Sequence, residues 1–414
     1  MNRRALAWAA YDWANSAFPT VITTFVFATY FARGIAPDPA AGQAWWGWMQ
    51  TAAGIAIALL SPLLGAVADA GGRRRGMLLG ATLLAAGCTA GLWFATPGPS
   101  SALLALLLVG LATVAFEVGT VLYNALLPSV ATPDRLGRVS GLAWGLGYAG
   151  GLACLLLCLV LLVRPDPSPL GLDRAAAEHL RATAVLVAVW WVAFGLPALS
   201  LLREPPGPRP AWGGAARRGL HDLGAVLRAL PSRPAMLRFL VARLFYTDGL
   251  NTLFAFGAIF AAGVHGMTFE EILLFGIALN VTAGLGAAGA GLLEDRAGSR
   301  RTVLVALVLA ILLGAALVLV ESRPAFWALA LALGLTFGPA QAASRTLMAR
   351  MAPPDEVAAH FGLFALSGRV TGFLGPATLA AVTAATGSQR WGMATVVAFL
   401  AAGAAVLVTL RGVR

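Results

Sequence analysis

Lysine is absent from this chain of 414 residues, and charged residues of every kind make up only 11% of it. A soluble domain carries about 25% charged and about 45–50% apolar residues. Because 59% of this chain is hydrophobic, a water-soluble fold could not bury its apolar surface. Without lysine there is also no Gly-Lys-Ser/Thr loop for nucleotide phosphates, which argues against ATP-driven transport by this chain.

Cysteine and histidine are scarce as well. Cys88, Cys154 and Cys158 all lie within apolar runs, which argues against a disulfide framework. The four histidines have no second ligand at metal-binding spacing, so neither a metal nor a cofactor is expected. No nucleophile stands with a base as an enzyme would require, and we expect no catalytic activity.

Long apolar runs dominate the sequence. A helix rises about 1.5 Å per residue, so roughly 20 apolar residues cross a hydrocarbon core about 30 Å thick. The runs predict an all-α integral membrane protein with twelve transmembrane helices. The predicted spans lie near 9–32, 45–69, 76–95, 102–127, 139–163, 182–202, 238–264, 269–293, 302–320, 325–349, 361–385 and 391–410.

Arginine supplies a net charge of +11, which in a soluble protein would suggest nucleic acid as a partner. In a membrane protein, cationic residues collect in cytoplasmic loops. Most arginines fall in alternate loops on one side of the predicted spans, which predicts that both termini are cytoplasmic and that lipid, not nucleic acid, is the partner. The exceptions in the other loops are Arg33, Arg164, Arg174, Arg181, Arg323 and Arg390.

A segment rich in proline, glycine and arginine divides the spans six and six. We therefore predict an N-terminal six-helix bundle at 1–202, a cytoplasmic linker at 203–235 and a C-terminal six-helix bundle at 236–414.

The two halves repeat each other. The loop at 65–75 and the loop at 291–301 both read Gly-x-x-x-Asp, then glycine, then arginine. Pro133-Asp134 precedes a glycine by the same spacing as Pro354-Asp355. The first span carries Asp12 and Asn15, and the seventh carries Asp248 and Asn251. Corresponding elements lie six spans apart and face the same way, so the repeat is parallel.

The loops at 65–75 and 291–301 resemble the signature of the major facilitator superfamily, except that Ala70 stands where a cation is usual. The segments 11–18, 123–128 and 138–141 resemble the vacuole-effluxer-like branch, whose eukaryotic members are linked to amino-acid release during autophagy. The resemblance implies two pseudo-symmetric six-helix bundles that rock about a central site. It also implies that spans 1, 4, 7 and 10 line the cavity.

The same resemblance implies a cytoplasmic gating latch that holds the outward-facing state. In the first copy Asp69, Arg73 and Arg74 form it, and a small Gly65 lets a neighbouring helix approach closely. The alternative is that these arginines serve only to orient the chain, which does not explain the Gly-to-Asp spacing. The second copy of the latch comprises Gly291, Asp295, Arg296 and Arg301.

Ionisable residues within spans are costly, by about 2.5–3.5 kcal/mol at a helix centre, and mark a pathway or a pair. Helical spacing places Glu117 and Asn124 on one face of the fourth span, with two threonines. The predicted substrate and proton pathway comprises Asp12, Asn15, Glu117, Asn124, Asp248, Asn251, Gln341, Arg345 and Arg369.

Glu117 and Asp248 are the candidate proton carriers, because a carboxyl group in a low-dielectric cavity retains a proton more readily. The guanidinium of Arg369 can bind a carboxylate bidentately and could hold the negative partner or an anionic substrate group. Static salt bridges between the bundles are the alternative. For Asp12 and Arg345, simple contact with the headgroup layer is a further alternative.

The sequence thus predicts a monomeric secondary active transporter of a small-molecule substrate, with proton coupling favoured and amino acids as one candidate class. Glycines in the fifth span resemble an antiporter motif without its proline and favour export slightly. The alternative is an integral membrane enzyme or lipid-handling protein. The lysine-free composition indicates a GC-rich genome and hence a bacterial inner membrane.

Overall fold

A computed structural model describes residues 2–168, 170–203 and 210–410. Among these residues, eleven helices are long and apolar enough to cross a bilayer, and a pair of shorter helices makes a twelfth crossing. The first six crossings are α1 (Arg3–Ile35), α2 (Pro39–Gly71), α3 (Arg74–Phe94), α4 (Pro99–Ala125), α5 (Leu136–Val163) and α6 (Glu178–Leu201).

The second six crossings follow the linker. They are α7 (Pro234–His265), α8 (Phe269–Ala297), α9 (Ser299–Leu319), α10 (Arg323–Met351), the pair α11a (Val357–Ser367) and α11b (Leu374–Thr386), and α12 (Gln389–Val408). The predicted fold class is confirmed: twelve helices form two six-helix bundles. The last arginines of the chain, Arg411 and Arg414, lie outside the described residues.

The eleventh crossing differs from the continuous span predicted at 361–385. It breaks into turns between Ser367 and Leu374. The cause lies in the sequence, because Gly368, Gly372 and Gly375 weaken helical order and Pro376 cannot donate to a carbonyl one turn earlier.

The linker contains a helix that its proline- and glycine-rich composition did not indicate. This linker helix, Trp212–Ala229, buries Ala215, Gly219 and Val226 on one face. A Cβ at Gly219 would lie 2.8 Å from Val67 Cα, so the linker helix packs directly on α2. Residues 204–209 of the predicted linker lie outside the described ranges.

The bundles meet most closely where α2 crosses α11a and where α5 crosses α8. Both crossings lie at one end of the molecule, which we call the arginine-rich end. It is defined by the turns around Gly72, Pro133, Gly298 and Pro353. The sequence predicts that this end is cytoplasmic.

Candidate functional site

Two aspartates hold the arginine-rich end together. Asp69, near the end of α2, accepts hydrogen bonds from the backbone N–H groups of Ala358 at 3.2 Å and Ala359 at 2.9 Å. Asp295, near the end of α8, accepts from the N–H groups of Gly137 at 2.8 Å and Arg138 at 3.2 Å. First-turn amides lack intrahelical acceptors and carry positive partial charge. Each carboxylate therefore caps a helix of the opposite bundle.

We call the contact of Asp69 with Ala358 and Ala359 the first clamp, and that of Asp295 with Gly137 and Arg138 the second clamp. Arg74 takes part in the first clamp. Its Nε donates to Asp69 Oδ1 at 2.7 Å, and its Nη2 donates to the Pro354 carbonyl across the bundle interface at 3.0 Å. Arg73 was predicted to share this latch and does not. Because it lies just before α3, it reaches the linker instead, donating to the Pro210 carbonyl at 2.8 Å and lying 4.7 Å from the ring centroid of Trp212.

In the second copy of the predicted latch, the two predicted arginines do not pair with Asp295 either. Arg296 and Arg301 are exposed, whereas the guanidinium nearest Asp295 is that of Arg138, with 3.8 Å between Nε and Oδ2. The last turn of α8 points Arg296 away from the interface, so α5 supplies the cation.

Glycines allow the helices to cross closely at both clamps. A Cβ at Gly141 would lie 2.8 Å from the Cα of Gly291, and a Cβ at Gly362 would lie 2.7 Å from the backbone nitrogen of Pro62. A Cβ at Gly65 would lie 2.7 Å from the carbonyl carbon of Ala358. Any larger residue would push the bundles apart, so the small side chains are a requirement of the closed end.

Arg345 joins the bundles deeper in the interface. From α10 it donates through Nη1 to Asp12 Oδ2 at 3.0 Å, through Nε to Ser140 Oγ at 2.9 Å and through Nη2 to the Ser140 carbonyl at 2.7 Å. Asn124 Oδ1 lies 3.4 Å from Nη1. Arg345 and Asn124 stand at equivalent positions of the repeat, the same number of residues before Pro354 and Pro133.

Aromatic rings surround this guanidinium. Its central carbon lies 4.7 Å from the ring centroid of Trp8, 5.7 Å from that of Tyr123 and 5.6 Å from that of Trp144. The Arg345 side chain is only 4% exposed, so this charge is buried in the interface between the bundles. A desolvated cation gains strongly from such rings, which lowers the cost of burying it.

Glu117 and Arg369 form a further ion pair between the bundles. Arg369 lies in the break of the eleventh crossing and donates through Nη2 to Glu117 Oε1. The side chains are 41% and 21% exposed for arginine and glutamate respectively, unlike the buried Arg345. Glu117 lies two turns from Asn124 on α4, about 10 Å further from the arginine-rich end. Water or a solute can therefore reach this pair.

The two ends of the broken eleventh crossing are held by α7. Arg243 donates to the Phe364 carbonyl and, at 3.0 Å, to Ser367 Oγ, at the end of α11a. Asp248 Oδ2 accepts from the Gly375 N–H at 2.9 Å, at the start of α11b. A cation at a helix C-terminus and an anion at an N-terminus both oppose the helix dipole, so these charges stabilise the break.

A cavity of about 570 Å³ opens mainly among α7, α8, α9, α10 and α12, with Thr24 and Phe25 of α1 on its wall. Its lining is largely apolar, and among the described lining residues the polar side chains are Thr24, Asn251 and Asn280. Of the remaining predicted residues, Asn15 is buried on α1 and Gln341 is half-buried one turn before Arg345. No group of three or more His, Cys, Asp or Glu suited to a metal occurs among the described residues.

Sequence reasoning missed Ser140 and the aromatic partners of Arg345. Trp8 Nε1 donates to the Tyr123 carbonyl at 2.8 Å, and Tyr123 Oη donates to the Trp8 carbonyl at 3.0 Å. Their rings stack with 4.3 Å between centroids. Tyr123 and Ser140 belong to the segments that carry the family resemblance, and that resemblance could have pointed to them. No feature of the sequence pointed to Trp8.

Comparison with known proteins identifies the family of this chain. The family model described as "Vacuole effluxer Atg22 like" matches residues 51–413. An MFS-type transporter of Bacillus subtilis, YxiO, is 24% identical over 97% of this chain and 93% of its own length. Autophagy-related protein 22 of Cryptococcus neoformans is 25% identical over 62% of this chain. The match covers 47% of that fungal protein, so it spans about half the length of this relative.

Solved structures show the same fold. The proton:xylose symporter XylE superposes with a TM-score of 0.76 at 13% identity, covering 97% of this chain and 94% of the symporter. The transporter FucP in its outward conformation gives 0.75 at 13% identity, covering 99% and 98%. The chain thus belongs to the Atg22-like vacuole effluxer family of major facilitator transporters, and it is an integral membrane transporter and not an enzyme.

Proposed function

We propose that this chain moves a small solute across the membrane by alternating access, coupled to protons, with amino acids as the first class to test. The family's description as an effluxer favours export. The observation that carries the proposal is the Arg369–Glu117 pair, because it joins the two bundles and remains partly exposed.

An exposed ion pair between moving bodies can exchange partners. When Glu117 takes a proton it loses its charge attraction for Arg369, and the guanidinium becomes free to bind a carboxylate through its two-pronged donor face. A solute carboxylate and the Glu117 carboxylate would then compete for one cation. Because protonation of Glu117 frees Arg369 for the solute carboxylate, proton binding and solute binding favour each other, which couples the two.

The clamps at the arginine-rich end supply the second element of the mechanism. Asp69 and Asp295 each hold a helix of the opposite bundle, and Arg345 ties both bundles at greater depth. Rocking of the bundles would break these bonds together and open the arginine-rich end. In this proposal the described structure corresponds to the outward-facing state.

The experiment is flux of labelled amino acids and dipeptides in proteoliposomes, with and without an inward proton gradient. The comparison is between wild type, Glu117→Gln, Asp248→Asn and the control Glu321→Gln, an exposed glutamate before α10. We expect gradient-dependent flux in wild type and in the control, and its loss in Glu117→Gln. Gradient-dependent flux that survives in Glu117→Gln would remove this residue as the proton carrier.

A further inference from the structure

Asp248 is a buried carboxylate that the Arg369–Glu117 exchange does not use. It is 1% exposed, and only its Oδ2 has a hydrogen-bond partner, the Gly375 N–H. Its Oδ1 has no partner among the described residues. A carboxylate oxygen buried without a donor is costly and calls for a counter-charge.

A hydroxyl oxygen lies on the same side of Gly375 as Asp248 Oδ1. Thr252, one turn after Asp248 on α7, is 1% exposed, and its Oγ1 likewise has no partner in the described parts of the chain. A Cβ built on Gly375 would meet Thr252 Oγ1 within contact distance and would lie 3.0 Å from Asp248 Oδ1. The two unpartnered oxygens therefore lie near each other, both packed against Gly375 at the start of α11b.

A proton alone does not satisfy this pair. The two oxygens do not hydrogen-bond to each other, so protonating Asp248 would leave the Thr252 hydroxyl as before. The neighbouring cations are engaged elsewhere: Arg243 binds the end of α11a, and Arg369 binds Glu117. A bound cation would be shared by both oxygens and would neutralise the carboxylate.

We propose that a sodium ion binds at the break of the eleventh crossing, between Asp248 Oδ1 and Thr252 Oγ1. Hard oxygen ligands suit an alkali or alkaline-earth cation and not a transition metal. One carboxylate balances one positive charge, which favours a monovalent over a divalent ion. Broken membrane helices also leave carbonyl groups outside the helical ladder, which can complete such a site.

The site would have a structural consequence for α7 and α11b. Asp248 already binds the first turn of α11b, and a cation on its other oxygen would fix the α7 side of the same junction. Sodium would therefore stabilise the break itself, whether or not it crosses the membrane. The proposal does not depend on proton coupling or on the solute.

The test is equilibrium binding of ²²Na⁺ to the purified full-length chain in detergent, with choline chloride holding the ionic strength constant. Asp248→Asn and Thr252→Val are compared with Thr383→Val, which removes another buried hydroxyl without a described partner, away from Asp248. We expect one displaceable sodium ion per chain in wild type and in Thr383→Val. Thr252→Val should weaken the affinity at least about tenfold, as loss of metal-site partners generally does.

Thermal unfolding provides a second readout that also verifies folding of each variant. The unfolding midpoint of wild type and of Thr383→Val should rise with sodium concentration, and not with choline, because the ion binds only the folded state. Asp248→Asn and Thr252→Val should show no such rise. Absence of specific sodium binding in wild type, or full binding in both site variants, would overturn the proposal.

Discussion

Asp69 and Asp295 are related by the internal repeat, and each caps the first turn of a helix in the bundle opposite its own. The same glycine-lined crossings bring both carboxylates into reach. The arginine-rich end is therefore closed by two copies of the same helix-capping contact. The copies differ in their arginine: Arg74 completes the first clamp, and Arg138 approaches Asp295 in the second.

Adjacent arginines should differ sharply in importance. Arg74→Ala removes the bonds to Asp69 and to the Pro354 carbonyl, and bonds to charged groups contribute about 1.5–3 kcal/mol each. We expect transport to fall roughly tenfold or more as the closed state loses population. Arg73→Ala loses only its linker contacts and should retain most activity. Equal losses in the two variants, measured in proteoliposomes at matched protein content, would contradict the assignment of the clamp to Arg74.

A bulky residue at a glycine crossing should prevent closure of the arginine-rich end. Gly141→Val would place side-chain atoms against the Gly291 backbone. The two packed helices would have to separate to make room for them. The measurement is labelling of single cysteines at the arginine-rich end, which should become faster. Gly87→Val on α3, where an added Cβ meets nothing within 4 Å, is the matched control and should label like wild type.

Arg345 should not tolerate lysine. The guanidinium uses separate nitrogens for Asp12, the Ser140 hydroxyl and the Ser140 carbonyl, and an ammonium group cannot reproduce that planar fork. Truncating one partner of a buried charge pair costs about 2–5 kcal/mol. We therefore expect Arg345→Lys to lower transport at least tenfold, whereas Arg390→Lys, near the opposite end of the molecule, should have a small effect. A fully active Arg345→Lys would show that the planar fork of the guanidinium is not required.

The linker helix should couple to the α2–α3 loop. Gly219 packs on the Val67 backbone, and Arg73 donates to Pro210, so the linker bears on the N-terminal bundle. Gly219→Leu should displace this helix and raise the rate of proteolysis within 210–230. Gly224→Leu, on the same helix where an added Cβ meets nothing within 4 Å, should be cut like wild type.

The sequence predicted those features that depend only on residues close together in the chain. Long apolar runs determine the twelve crossings, and the repeated Gly-x-x-x-Asp spacing singled out Asp69 and Asp295, the two carboxylates that cap helices of the opposite bundle. The break in the eleventh crossing was missed because glycines and one proline permit either a bend or an interruption. The choice depends on Arg243 and Asp248 of α7, which stabilise the two new helix ends.

The partners of the charged residues were beyond sequence reasoning. The repeat places Asp12 and Asp248 at equivalent positions, yet Asp12 pairs across the interface with Arg345 and Asp248 binds within its own bundle. Pairing depends on which arginine the opposite helix offers, and α4 carries Asn124 where α10 carries Arg345. An arginine side chain is long enough to reach either bundle, so residue spacing alone could not predict its partner.

Separation of the bundles at the arginine-rich end is the central claim, and a distance between spin labels tests it most directly. The labels are placed at Thr132 and Ala297, two exposed positions in opposite bundles, in a chain without its native cysteines. Wild type should give a single short distance. The double variant Asp69→Asn and Asp295→Asn should add a longer distance as the arginine-rich end opens. An unchanged single distance in the folded double variant would contradict the account.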